Sequence, residues 1–82
     1  MIVPKKWLNG TATVDLAEDA KITLAFLRNG LKALREMWPN GRDYVYDAPM
    51  LALAQIEFAG IIERQEAIIK EIEAYLGGVM DR

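Results

Sequence analysis

Between Leu16 and Trp38, apolar residues recur at steps of four and three: Leu16, Ala20, Leu24, Leu27, Leu31, Leu34 and Trp38. That rhythm places them along one side of an α-helix. It predicts a first helix over 15–38. Asp15 with Glu18 fits a capping box, and Asp19 adds negative charge near the positive helix end. Pro39 disfavours helical geometry in the residue before it, and Asn40-Gly41 follows as a turn signal. A second row, Leu51, Ala54, Phe58, Ile61, Gln65, Ile68, Ile72 and Tyr75, predicts a helix over 47–76. Asp47 is its expected N-cap, Pro49 is tolerated in its first turn, and Gly77-Gly78 is its expected stop. Residues 39–46 are then a loop, and 77–82 a frayed tail. Ahead of both helices, residues 1–13 form an arm. Its Trp7–Val14 stretch, with Asn9-Gly10 between β-prone residues, reads either as a short β-ribbon or as an irregular strap whose Trp7 plugs one end of the core. Nothing along the chain marks a repeat or a domain boundary, so 1–82 reads as one helical-hairpin domain.

Two helices joined by a short loop pack antiparallel, and the expected fold class is an all-α, antiparallel two-helix hairpin. The hairpin is too apolar to stand alone. Ile22, Phe26, Ala33 and Met37 form a second row beside the first on helix one. Early helix two is apolar nearly all round, from Met50 through Leu53, Ile56 and Phe58 to Ile62. A helix apolar on all sides needs cover on all sides. The expected remedy is dimerisation of two hairpins into a four-helix bundle. Its interface would use Ile22, Phe26, Ala33, Met37, Leu53, Ile56, Phe58, Ile62 and Gln65. A foreign partner protein would satisfy the same physics.

Two finer expectations follow. Gly30 and Gly60 each sit inside a helix, where glycine costs about 1 kcal/mol against alanine. Counting outward from Asp43 sets Phe58 over Gly30 and Phe26 over Gly60. Gln65 lies in an apolar row and needs a hydrogen-bond partner there. Either Gln65 of a second copy supplies it, or the amide escapes to the edge of the core.

Composition narrows the chemistry. The 82 residues contain no Cys, His or Ser. That removes disulfides, Cys/His zinc sites and the usual nucleophile–imidazole pairs. No catalytic residue, metal site or cofactor is expected. The net charge is −2, which argues against a general nucleic-acid binder. The charge is segregated. Residues 1–42 carry seven basic and four acidic side chains, and residues 43–82 carry three basic and eight acidic ones. Lys21, Arg28, Lys32 and Arg35 share one side of helix one and form a candidate anion stripe. Its bland counterpart is a solvated face paired with acidic residues of helix two. Glu63, Glu66 and Glu73 likewise read as a solvated face, with Lys70 among them. Trp38, Arg42, Tyr44 and Tyr46 form a candidate partner-docking loop, or a plug for the open end of the bundle. No signal peptide or membrane span is legible, and a cytoplasmic location is the default expectation. The functional expectation is a small non-enzymatic interaction or regulatory module acting as a homodimer, with anion or nucleic-acid binding through the basic stripe as the alternative.

Overall fold

The computed structural model describes residues 1–6 and 10–82. It is an all-α hairpin of two helices, α1 (Thr13–Glu36) and α2 (Ala48–Asp81), packed along each other in a rod measuring 64 × 18 × 15 Å. Among the described residues there is no strand. The proposed ribbon over Trp7–Val14 and the plug by Trp7 fall partly or wholly on residues 7–9, outside the described residues.

α1 starts at Thr13, two residues before the expected start at Asp15. Ala12 is the N-cap, in extended geometry and without a side-chain cap, and its carbonyl accepts from the Leu16 N–H. Asp15 instead lies in the first turn, where its charge opposes the positive helix end. At the other end, the Met37 and Trp38 N–H groups bond back to Leu34 and Arg35. This tighter three-residue closure finishes the helix ahead of Pro39.

α2 follows the sequence at its start and departs from it at its end. The Asp47 carboxylate caps the Met50 N–H at 3.0 Å, with Pro49 accepted in the first turn. The Gly77-Gly78 pair does not stop the helix. Neither glycine takes positive φ, and α2 runs on to Asp81. The expected frayed tail is therefore ordered, and two contacts explain it. Val79 is 0% exposed. Arg82 reaches across the open end of the hairpin and donates to the carbonyls of Pro4 and Thr11, at 3.0 and 2.9 Å, and to the Thr13 hydroxyl at 3.4 Å. The arm thus closes over the last turn of α2. Gly78 allows this approach, because a Cβ there would sit 2.6 Å from Val3 Cγ2.

The core is small. Leu24, Leu31 and Ile69 form its central buried cluster, with Leu27, Ile62, Ile72 and Leu76 packed against them, and Ala17, Ala20 and Val79 are buried as well. The α1 row matches the sequence pattern. The α2 row is rotated relative to it: Ile69 is buried while Ile68 is 43% exposed. The doublets Ile61-Ile62 and Ile68-Ile69 leave two neighbouring rows equally apolar. The inward row is the one that continues through Leu76 to Val79, which the arm can cover.

The hairpin register also departs from a symmetric count about the loop. The Gln65 amide reaches the Leu27 carbonyl, Trp38 packs edge-on against Phe58 with ring centroids 6.1 Å apart, and the Gln55 amide reaches the Pro39 carbonyl. The end of α1 is therefore level with Phe58, about a third of the way along α2. The ten residues of α2 ahead of Phe58, about 15 Å at 1.5 Å per residue, project beyond it. The loop returns beside them in tight turns, with Asp43 bonded to Asn40, Tyr44 to Gly41 and Asp47 to Tyr44. This offset overturns the expected phenylalanine–glycine contacts. Phe58 meets Trp38 rather than Gly30, and Phe26 stands 73% exposed, away from Gly60.

The two glycines at the end of α2 should respond oppositely to alanine. Gly77 has open space around it, so Gly77→Ala should gain about 1 kcal/mol from helix propensity. Gly78→Ala forces the stiff Val3 side chain away and should lose stability despite the same propensity gain. Chemical denaturation of the two variants, at equal concentration, measures both signs.

Candidate interaction surface

The two broad faces of the rod differ. On one, Arg28 approaches Glu73 at 3.9 Å and Arg35 approaches Glu66 at 3.8 Å, with all four side chains about half exposed. Lys21 and Lys32 follow on the same side of α1 and are exposed. The candidate anion stripe is thus brought together as four cations along one edge, two of them leaning on carboxylates of α2. These long, half-solvated pairs contribute little to stability. Glu66 and Glu73 are accordingly committed to arginines. Among the described residues no cluster of acidic side chains has the geometry of a metal site.

The opposite face is apolar and open. Helical phase at 100° per residue sets Phe26 and Met37 of α1, with Met50 and Ile68 of α2, on that side. Phe26 and Met37 are 73% and 67% exposed, and Met50 and Ile68 are 51% and 43% exposed. Leu34, Ile61 and Tyr75 lie half-buried between them. Behind the hairpin, Ile22, Ala33, Leu53 and Ile56 are exposed as well. Six of the nine residues read as an oligomer interface therefore remain uncovered: Ile22, Phe26, Ala33, Met37, Leu53 and Ile56. The other three are engaged within the chain. Phe58 packs edge-on against Trp38, Ile62 packs on the core, and Gln65 donates to the Leu27 carbonyl at 3.1 Å. Gln65 thus finds its partner without a second copy. The carbonyl it uses keeps a lone pair free beyond its helical bond.

The docking loop is less uniform than its sequence implies. Tyr46 is fully exposed, Arg42 is exposed, and Tyr44 is half-buried. Trp38 belongs with Phe58 at the end of the core, leaving 40% of its surface exposed. Residues 42–47 and Met50 line an open hollow of about 460 Å³. A second hollow of about 560 Å³ opens at the arm end between Val14, Ile22 and Met80. The loop hollow is lined by Arg42, Asp43, Tyr44, Tyr46 and Asp47 beside Val45 and Met50, and the arm-end hollow adds Thr13, Glu18 and Lys21.

Among the described residues, no helix is long and apolar enough to cross a membrane. Comparison with protein-family models, with curated proteins and with solved structures finds no match to this chain.

Neutralising the two glutamates of the ion-paired face gives a direct measure of that face. Glu66→Gln and Glu73→Gln should each change stability by less than about 1 kcal/mol, with the difference vanishing at 1 M salt. Thermal melts at low and high ionic strength check this.

Proposed function

We propose that this protein is a non-enzymatic interaction or regulatory module of the cytoplasm that works as a homodimer. The observation that carries the reading is the open apolar face. After the helices have packed and the arm has closed over one end, the hairpin still presents phenylalanine, methionine and isoleucine side chains to water on the side away from its ion pairs. Contiguous apolar surface of this kind marks an interaction site on soluble proteins. Two hairpins joined through it make a four-helix bundle with the charged faces outward. In that arrangement the Tyr46 loop and the basic edge remain free to meet a further macromolecule. The absence of His, Cys and Ser from the sequence supports a binding role over catalysis.

Light scattering coupled to size exclusion tests the assembly. The expected mass is twice the 9.2 kDa chain, falling toward one chain on dilution. A particle that stays at one chain mass at every soluble concentration would refute the proposal. Reversing charge at Arg28 and Lys32 should leave the dimer intact.

A further inference from the structure

α2 carries two possible ends in one sequence. Gly77-Gly78 is the pattern that closes a helix, because glycine enters the left-handed conformation at no steric cost. Both glycines are helical nonetheless, and α2 continues to Asp81. Glycine inside a helix is unfavourable, and two in succession make this a poor turn by its own propensity. What holds the turn lies outside α2. Arg82 donates to the carbonyls of Pro4, Lys5 and Thr11 and to the Thr13 hydroxyl, at distances between 2.9 and 3.5 Å. Val3 packs on Gly78, in space that any side chain there would fill. Val79, next to Gly78 and three residues before Arg82, is fully buried.

The arm is held in return by little else. Of residues 1–6 only Val3 is partly buried, and residues 10–12 are exposed. Without Arg82, one side chain of packing would have to offset the conformational freedom of an extended segment. Arm and last turn each depend on the other, which is the condition for a cooperative unit that opens apart from the rest of the fold. We infer that they form a two-state switch. In the long state, which the structure shows, the arm is strapped down and α2 runs through both glycines. In the short state the arm is released, α2 stops at Gly77, and Val79 to Arg82 leave the helix while the middle of the hairpin stays packed. The glycine pair makes the short state a defined alternative, because it supplies the left-handed cap that a frayed end lacks. Release also unseals the end of the rod where Ala17 and Met80 already line one hollow. The switch therefore sets how far apolar surface extends toward the arm end, whether or not the chain dimerises.

Amide hydrogen exchange on the full chain, read by NMR, tests the switch. Amides of residues 79–81 should exchange about tenfold or more faster than those of Leu31 and Ile69. Arg82→Gln removes the fork that spans Pro4 and Thr11. It should speed exchange at 79–81 about tenfold further, leave Leu31 and Ile69 unchanged, and move the Val3 methyl signals to free-chain positions. A second variant drives the equilibrium the other way. Val3 Cβ lies 3.5 Å from where a Gly78 Cβ would stand, within the span of a disulfide, and the chain has no cysteine of its own. Oxidising the Val3→Cys/Gly78→Cys chain should slow exchange at 79–81 about tenfold relative to the same chain reduced. Wild-type amides at 79–81 as slow as Leu31 would overturn the inference. So would an Arg82→Gln chain in which they are unchanged, in which the whole hairpin speeds equally, or in which Val3 stays packed while they quicken. Exchange indifferent to the disulfide would overturn it as well.

Discussion

Two helices in contact shield only the side that each turns to the other. Every notable feature of this molecule is a response to that limit. Among the described residues only six side chains are well buried, Ala17, Ala20, Leu24, Leu31, Ile69 and Val79, in a chain in which about half the residues are hydrophobic. At the arm end Val3 packs on Gly78, and the adjacent Val79 is fully buried. Phe26, Met37, Met50 and Ile68 remain uncovered on the side away from the arginine–glutamate pairs, and Ile22, Leu53 and Ile56 remain uncovered behind the hairpin.

The length mismatch between the helices extends the same theme. α1 ends level with Phe58, about a third of the way along α2, so the start of α2 has a loop for a neighbour instead of a helix. That is why Met50, Leu53 and Ile56 are exposed. A loop of tight turns cannot replace a helix as apolar cover, because its own backbone groups must stay hydrogen-bonded or wet. Trp38 on Phe58 and the Gln55–Pro39 bond pin the loop where it leaves α1. Beyond them, the Asp47 cap holds the start of α2.

Much of the fold was legible in the sequence. The heptad-like leucines of α1 form its inward face, and Asp47 caps α2 as its position implies. Three features were not legible, each for a physical reason. The paired isoleucines of α2 present two equivalent rows, and only the tertiary cover at Val79 chooses between them. Gly77-Gly78 resembles a helix stop, but Arg82 and the arm hold the chain helical through it. The register offset arises from the path of the loop, which no periodicity encodes, and it moved Phe26 and Phe58 away from the glycines expected to receive them. Of the surface residues singled out, the basic row of α1 lies along one edge. The interface set divides into six uncovered residues and three engaged inside the hairpin, and Gln65 is among the latter.

The Arg82 clasp joins groups separated by 69 to 78 positions in the chain. Closing so wide a span costs entropy that only prior docking of the helices can offset. The clasp is therefore a late event in folding: the rods meet first, and the guanidinium then locks the arm over an end that already exists. Its loss would loosen that end while leaving the Leu24–Leu31–Ile69 contact in place, so the two extremities of the rod can open independently of its middle.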